Sequence, residues 1–375
     1  MRRAAGNGAA TVLRPAAKSL PADARAHNRA LVLRTLFHSD GASRADIARI
    51  TGITPGTTSA LVRELTESGL VDEHHPRRHQ RLGAPSTPLG IRADAYHIVA
   101  LDLSDPEDVR AGLLDLKGRP LLTRSRAVGR NGVEHILDEA AALVEASDRP
   151  ILGVGVSCPG IIDPDGVVLR TTTYDWENLP LSALLDERTS LPVYVANDAN
   201  TATLAEFTFG ESRGDCLLTV TIGHGVGAGI LLDGMIVQGD SFAVGEIGHL
   251  TAVEGGLLCE CGRYGCLQTV MSGQLLRDVL AGPADEVDER FAEIGNLAGV
   301  VLAPLVGALT ISQVHVSGER ELLRPSLLDS LRETIQGRVL PSLMPNLTVS
   351  PATFGADTML VGAAALVLSG ELGIA

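Results

Sequence analysis

Four side chains of metal-binding type fall within 18 residues of the chain. They are His249, Cys259, Cys261 and Cys266, with the spacing H-x9-C-x-C-x4-C. Zinc takes four tetrahedral ligands of this nitrogen and sulfur kind, and a closed set of three cysteines and one histidine is a structural site. Glycines beside two of the ligands, Gly262 and Gly265, allow the sharp backbone turns that such a site needs. The pattern predicts a Zn2+ site rather than cysteines scattered in a loop, because three of the five cysteines of the chain cluster here.

A loop that binds a metal needs a folded body to carry it. At 375 residues, with 45% hydrophobic and 20% charged residues, the composition is that of a soluble globular protein of two or three domains. Thiolate ligands and few cysteines indicate a reducing compartment. The basic N-terminus lacks the apolar core of a signal peptide, and the apolar run at residues 297–311 contains Pro304 and is shorter than the roughly 18 residues of a membrane span. We expect a cytoplasmic protein with no membrane partner.

The net charge of −14 is distributed unevenly along the chain. Residues 1–92 hold 14 Lys and Arg against 7 Asp and Glu, a balance of +7. The rest of the chain carries 17 of the 31 basic and 38 of the 45 acidic residues, a balance of −21. A basic N-terminal segment on an acidic body is typical of a nucleic-acid-binding module attached to a second function.

Three short helices are predicted after a disordered arm at residues 1–22, which is rich in Ala, Gly and Pro. Apolar residues at helical spacing, including Leu36, give the first helix one buried stripe. Ser43 with Asp46 is a capping box that opens the second helix. A turn at Gly52 follows, and Thr54, directly before a proline, is the N-cap of the third helix.

Two short helices joined by a glycine-containing turn form a helix-turn-helix, whose second helix enters the major groove of DNA. The strand and the basic, turn-rich segment that follow are predicted to form a wing, so residues 23–92 are assigned as a winged helix-turn-helix domain. The residues predicted to contact DNA are Thr54, Thr57, Ser59 and Arg63 on the third helix and Arg77, Arg78 and Arg81 in the wing. The alternative is a small helical dimerisation domain with a solvated basic face.

Beyond residue 92, apolar strands alternate with amphipathic helices. A hairpin at residues 96–115 leads into a third strand, a helix and a strand at residues 151–157, and a similar order recurs from residue 217. This arrangement, occurring twice, predicts an α/β body of two related lobes.

The segments TIGHGVGAGILLDG, GEIGHL and CECGRYGC occur in this order and resemble the ROK family, named for repressors, open reading frames and sugar kinases. The resemblance runs from about Arg25 to the C-terminus and includes the winged helix of the regulator branch. It implies an actin-like sugar-kinase fold, with lobe I at residues 93–196 and 357–375 and lobe II at residues 197–356. The zinc loop, residues 245–268, belongs to lobe II, and in the family its histidine also faces the sugar.

The resemblance also implies a sugar site. Its residues would be Asn197, Asp198, Glu246, His249, Gln268 and Gly160. In the family, Glu246 and His249 would bond sugar hydroxyls, and the aspartate that matches Asp198 is the base in kinases. Gln268 stands where the family usually has a glutamate. Without the resemblance, the Asn-Asp pair indicates no more than an Asx-capped turn.

The segment that would bind the phosphates of ATP differs from that of the family's kinases. Those kinases carry a Gly-Gly-Thr turn after the aspartate of the first strand. Here Asp102 is followed by Leu, Ser104, Asp105, Pro, Glu and Asp. No glycine remains, the proline removes an amide donor, and three carboxylates would face a polyanion. A second glycine loop is intact apart from His224, where kinases usually have threonine.

These features predict a sugar-responsive transcriptional regulator, a repressor of carbohydrate uptake or catabolism genes, and not an enzyme. Its partners would be double-stranded operator DNA, a sugar or sugar-derivative effector and further copies of the chain in a homodimer or homotetramer, with Zn2+ as its cofactor. One alternative is a sugar kinase with residual ATP-dependent hexose phosphorylation. Another is a scaffold protein that sequesters a partner.

Overall fold

The computed structural model describes residues 21–39, 41–73, 87–212, 214–342 and 346–374. Residues 1–20 of the predicted arm and the wing arginines Arg77, Arg78 and Arg81 lie outside these ranges. The first helix begins at Pro21, inside the segment predicted to be an arm.

The N-terminal domain is a three-helix unit closed by a two-stranded antiparallel sheet. Its elements are α1 (Pro21–His38), α2 (Arg44–Thr51), α3 (Pro55–Glu67), β1 (Val71–Glu73) and β2 (Leu89–Ile91). The predicted capping box is confirmed: the Ser43 hydroxyl accepts from the Asp46 amide, and the Asp46 carboxylate accepts from the Ser43 amide. Gly52 has a φ of +73°, and Thr54 caps α3 by accepting from the Thr57 amide. The fold is a winged helix-turn-helix of the predicted order.

The next part of the chain builds the first sheet. Its elements are β3 (His97–Asp102), β4 (Val109–Asp115), β5 (Pro120–Arg126), α4 (Val133–Ala146), β6 (Ile151–Cys158), β7 (Ile161–Ile162), β8 (Val168–Arg170), β9 (Glu177–Leu179), α5 (Leu181–Thr189) and β10 (Val193–Asn197). The five-stranded order is β10-β6-β3-β4-β5, in which β10, β6 and β3 are parallel and the hairpin strands β4 and β5 are antiparallel. A small sheet, β7-β8-β9, lies beside it.

The second sheet repeats this topology. The remaining elements are α6 (Asp198–Phe209), β11 (Leu217–Ile222), β12 (Val226–Leu232), β13 (Met235–Ile236), α7 (Gln268–Met271), α8 (Gly273–Leu280), α9 (Val287–Leu309), β14 (Gln313–Ser317), α10 (Pro325–Arg338), β15 (Thr348–Pro351) and α11 (Thr358–Leu372). The order β15-β14-β11-β12-β13 has three parallel strands and two antiparallel hairpin strands. The prediction of two related α/β lobes is confirmed.

The last helix, α11, joins the N-terminal domain to the first sheet. Leu360 and Val367 of α11 lie in one continuous apolar core with Leu33 of α1, Leu65 of α3 and Ile98 of β3. The winged helix is therefore packed against the body through a shared apolar core.

Two helices are apolar and long enough to cross a membrane by length and composition alone, α9 and the segment Gly355–Leu372 that contains α11. Both pack inside the lobes, α9 against α10 and α11 against β3 and β6. The proline expected to interrupt the apolar run does not end α9, which continues through Pro304. Pro304 is exposed, so the carbonyl that loses its helical hydrogen bond can bind water.

Candidate functional site

The four predicted metal ligands come together in the loop between β13 and α7. One ligand atom from each of His249, Cys259, Cys261 and Cys266 lies within 4.8 Å of all the others. His249 Nδ1 is 3.6 Å from Cys259 Sγ, and the sulfur atoms of Cys261 and Cys266 are also 3.6 Å apart. A tetrahedral ion with bonds of about 2.3 Å to sulfur and about 2.0 Å to nitrogen separates its ligands by roughly these distances. The donor set and its geometry fit a zinc ion.

Glycines shape the backbone around these ligands. Gly262 and Gly265 have φ values of +85° and +73°. A β-carbon on Gly265 would lie 1.7 Å from the carbonyl oxygen of Val253, so only glycine fits there. Isolated bridges between Thr251 and Cys266 and between Leu258 and Tyr264 close the loop into a compact knuckle.

The pKa values of two thiols in the knuckle move in opposite directions. A hydrogen bond from the Arg263 amide lowers the pKa of Cys261 to about 6. Burial raises the pKa of Cys266 to about 11. A divalent cation between the sulfur atoms would stabilise both thiolates, because metal binding favours the deprotonated ligand.

The second nitrogen of the ligand histidine faces away from the cysteines. His249 Nε2 lies 4.0 Å from a carboxylate oxygen of Glu246. Desolvation raises the pKa of Glu246, and the proximity of His249 opposes this. The knuckle therefore orients both residues of the E-x-G-H motif.

Asn197 and Asp198 lie where β10 ends and α6 begins. The Asn197 side-chain oxygen caps the helix by accepting from the amides of Ala199 and Asn200, at 2.9 and 3.3 Å. Its side-chain nitrogen donates to the Gly160 carbonyl at 2.9 Å. The Asx cap considered as the local alternative is present, and it fixes Asp198 at the first position of α6.

Asp198 belongs to a group of carboxylates from separate elements. Burial, together with the charges of Asp102 and Glu246, raises the pKa of Asp198 to about 7. Asp102, buried at the end of β3, also has a raised pKa caused by burial, and it accepts from the amide and hydroxyl of Ser104. A carboxyl group that is partly protonated near neutral pH can both donate to and accept from a hydroxyl.

Two further predicted sugar-site residues have clear structural roles. Gly160 has a φ of +107°, and a β-carbon there would lie 2.3 Å from the Arg170 carbonyl oxygen, so the fold itself requires glycine. Gln268 donates to Glu260 at 2.7 Å. Its side-chain oxygen lies close to Gly225 of the glycine loop: a β-carbon added to Gly225 would be 3.1 Å from this oxygen. Gln268 thus connects the knuckle to the glycine loop.

The sequence did not indicate a contact between the two altered nucleotide segments. His224, in the turn between β11 and β12, places Nε2 3.4 Å from the carboxylate of Asp105, in the loop between β3 and β4. Asp105 also accepts from the Glu107 amide at 2.9 Å. The sequence indicated separately that each of these two residues differs from the family's kinases. The structure shows that their side chains are in contact.

The residues predicted to contact DNA on α3 are all exposed: Thr54, Thr57, Ser59 and Arg63. The opposite face, with Leu61, Val62 and Leu65, is buried against the other helices. Arg63 has one acidic neighbour on its own helix, Glu67 at 4.0 Å. In the part of the chain that the structure describes, this face of α3 is exposed to solvent.

Known proteins match both parts of the chain. The model of the ROK family matches residues 106–369, and the model of the MarR family matches residues 27–82. The DNA-binding transcriptional repressor Mlc of Escherichia coli (strain K12) is 27% identical over 377 residues, covering 90% of this chain and 92% of that protein. A glucokinase of Halalkalibacterium halodurans is 32% identical over 269 residues, covering 63% of this chain and 82% of that protein.

A solved structure matches nearly the whole chain. The crystal structure described as a ROK family transcriptional regulator, homolog of the E. coli Mlc protein, superposes with a TM-score of 0.80 at 24% identity, covering 94% of this chain and 98% of that one. The similarity spans the winged helix and both lobes, and the glucokinase similarity spans only part of the chain. The chain belongs to the ROK family.

Proposed function

We propose that this protein is a sugar-responsive transcriptional repressor of carbohydrate uptake or catabolism genes. The observation that carries the proposal is the winged helix-turn-helix joined by a shared apolar core to a body with the sugar-kinase fold. Similarity to the repressor Mlc over 90% of the chain supports it.

The effector in this proposal is a sugar or sugar derivative bound between the lobes. Asp198, Glu246 and His249 lie within electrostatic reach of one another and offer both donors and acceptors. Such a set suits a polyol, because each buried hydroxyl left without a partner would cost roughly 1–3 kcal/mol. Asn197, Gly160 and Gln268 would complete the site by holding α6 and the knuckle in place.

The DNA contacts would be made by α3 and the wing. Ser59 and Arg63 would reach base edges or phosphates from the exposed face of α3. Arg77, Arg78 and Arg81 would neutralise phosphate charge. Two copies of the chain, as a homodimer or within a homotetramer, would bind two half-sites in the cytoplasm.

We also propose that the body does not transfer phosphate. The segment Ser104 to Asp108 has no glycine, and its carboxylates would face the phosphates of ATP. Two like charges about 4 Å apart cost about 4 kcal/mol at an effective dielectric constant of about 20. Phosphoryl transfer depends mainly on positioned phosphates, so this loop would prevent it.

Zinc would hold side chains in place and would take no part in a reaction. Held by His249, Cys259, Cys261 and Cys266, it would fix the knuckle that presents Glu246 and the free nitrogen of His249 to the sugar. The metal would thereby support the effector site without contacting the effector.

Gel-shift titrations test the proposal. DNA fragments from around the protein's own gene are titrated with protein at low salt, with and without members of a panel that includes D-glucose and D-xylose. We expect one fragment to bind and one sugar to change its affinity by about 5- to 150-fold. If no fragment binds at low salt, the regulator hypothesis fails.

A further inference from the structure

The helix that begins at the sugar site ends against the winged helix. α6 has 12 residues and is therefore about 18 Å long. Its N-terminus carries Asp198 and the Asn197 cap. At its other end, the Phe209 ring packs edge-on against Phe37 of α1, with centroids 5.7 Å apart and an interplanar angle of 61°.

α6 is enclosed along its length by the two lobes. It packs against β11 and β12 on one side and against α11 on the other. Glycines on the neighbouring elements permit the closest approaches. A β-carbon on Gly229 of β12 would lie 2.3 Å from the carbonyl oxygen of Ala199. A β-carbon on Gly362 of α11 would lie 2.1 Å from the carbonyl oxygen of Thr201. A helix packed this closely has no room to bend, so it moves as a rigid body.

Near its C-terminal end, α6 is held by a buried carboxylate. Glu206 is fully buried and accepts from the amide and the hydroxyl of Thr353, both at 2.7 Å. His315 of β14 lies 3.4 Å from the same carboxylate. The next residue after Thr353 is Phe354, whose ring is 6.5 Å from that of Phe209. The end of α6 is thus fixed to lobe II and to the segment that leads into α11.

The contact with Phe37 leads directly to the recognition helix. Phe37 lies in the last turn of α1 and is 8% exposed. It shares the N-terminal core with Leu33 of α1 and Leu65 of α3. The Phe209–Phe37 contact therefore links the helix of the effector site directly to the packing that positions α3, beside the core that α11 shares with α1 and α3.

The β4–β5 turn leaves space for this contact. A β-carbon on Gly118 would lie 2.9 Å from the Phe209 ring. Lys117, beside it, places Nζ 4.6 Å from the centroid of the Phe37 ring. Phe209 and Phe37 touch beside a cavity of about 570 Å³ that both rings line together with Lys117, so a displacement of Phe209 changes its contact with Phe37.

We propose that α6 transmits the state of the sugar site to the DNA-binding domain, and that Phe209 is the positioning residue that passes the movement to Phe37. This inference rests on the proposed function and adds the path by which sugar binding would change DNA binding. Sugar contacts at Asp198 move α6 together with the elements of lobe II to which it is fixed, and Phe209 then moves α1 and the helices that pack on it.

The experiment compares Phe209→Leu with Phe207→Leu. Both substitutions replace an aromatic ring on α6 that packs against the cluster containing Leu217 and Leu231, but of the two rings only Phe209 also packs against the core that contains Phe37. The DNA is the fragment that the wild type binds in the gel shift, and the sugar is the member of the panel to which the wild type responds. For each full-length variant, the affinity for this DNA is measured with and without saturating sugar. Sugar affinity is measured by calorimetry with and without that fragment.

For Phe209→Leu we expect the effect of sugar on DNA affinity to fall at least about fivefold, and the effect of DNA on sugar affinity to fall equally, since coupling is reciprocal. Sugar affinity without DNA should stay within about threefold of the wild type. Phe207→Leu should keep the wild-type coupling. If Phe209→Leu does not fold, Phe37→Leu removes the same ring contact from the other side and is expected to give the same loss.

Three outcomes contradict the proposal in distinguishable ways. If the wild type shows no sugar effect on DNA binding, the proposed function fails and this route fails with it. If the wild type responds and Phe209→Leu responds equally, only the route through Phe209 is overturned. If Phe207→Leu loses as much coupling as Phe209→Leu, the effect is a general loss of α6 packing and the route is again overturned.

Discussion

His224 Nε2 lies 3.4 Å from the carboxylate of Asp105, and this contact joins the two lobes across the nucleotide side of the cleft. The two residues belong to the segments that would hold phosphates in a kinase of the family. Both side chains are largely exposed, so the pair is expected to contribute no more than about 1 kcal/mol. The contact holds the loop between β3 and β4 against the turn between β11 and β12, at the position where a kinase of the family would bind its nucleotide.

Asp105→Asn should therefore weaken sugar binding slightly if the closed lobes bind the sugar. We expect a loss of up to about fivefold at low salt, corresponding to about 1 kcal/mol. The difference from the wild type should shrink at about 1 M salt, where exposed charges are screened. Calorimetric titration at both salt concentrations measures it, with Asp163→Asn in lobe I as the control. An equal loss at both concentrations would show that charge pairing is not the cause.

Asp198 should make the stability of the protein depend on pH. Its folded pKa, about 7, is raised by burial above the usual value of about 3.9. The folded state therefore holds a proton that the unfolded state loses, and its stabilising effect is complete below about pH 4 and is lost as the pH rises through about 7. The upper bound on this change is about 4 kcal/mol.

Asp198→Asn removes this titration. Denaturant unfolding from pH 4 to pH 8 should show the wild type losing stability relative to the variant as the pH rises. Asp186→Asn, an exposed aspartate on α5, serves as the control and should follow the wild type. Parallel curves for wild type and Asp198→Asn would mean that Asp198 titrates at its ordinary pKa.

Much of the N-terminal domain could be predicted from local sequence. The Ser43–Asp46 capping box and the Thr54 cap depend on residues three apart, so short-range pattern was sufficient. The cluster of His249 with Cys259, Cys261 and Cys266 was also predictable, because the side-chain types and spacing of a metal site are visible in the sequence. Pro304 lies inside α9 and does not end it, because it is on an exposed face of the helix.

The long-range contacts could not be predicted in this way. His224 and Asp105 are 119 residues apart, and their contact depends on how the lobes close. The raised pKa of Asp198 arises from its burial between elements that are distant in sequence, with the charges of Asp102 and Glu246 adding to the effect. Phe209 carried no motif at all, and its contact with Phe37 follows from the packing of the whole N-terminal domain on the body.

The protein should not turn over ATP. The loop at Asp105 offers carboxylates where phosphates would bind, so we expect no sugar-dependent ATP consumption above background with a panel of hexoses. A coupled assay for ADP measures it. Turnover that is present in the wild type and disappears in Asp198→Asn would contradict the non-enzymatic proposal, because it would identify Asp198 as a working base.

Arg63→Ala should weaken DNA binding in a salt-dependent way. Arg63 is exposed on α3, and its ion pair within the described part of the chain is with Glu67 at 4.0 Å. If it contacts a phosphate, its removal should lower the slope of log affinity against log salt by about 0.9. Arg332→Ala on α10, which removes an arginine paired with Asp329 at 2.9 Å, is the control. A slope unchanged by Arg63→Ala would place that side chain away from the phosphates.

Removal of zinc should abolish the sugar response before it affects the winged helix. The knuckle residues Ile247 and Leu267 pack in the core of lobe II, whereas the N-terminal helices pack with β3 and α11. Because the two cores are separate, loss of the metal should disorder Glu246 and His249 first. Cys261→Ser is expected to lower bound zinc from about one ion per chain to near zero and to weaken sugar binding at least about tenfold.

DNA affinity without sugar should change little in the same variant, because α3 is positioned by the other core. Cys216→Ser is the matched control: this cysteine lies outside the cluster and its loss should leave zinc content and sugar affinity unchanged. Metal analysis, calorimetry and gel shift on the three proteins separate the effects. If Cys261→Ser loses zinc and keeps full sugar affinity, the knuckle only stabilises the fold, and the orientation of His249 by the metal has no part in effector binding.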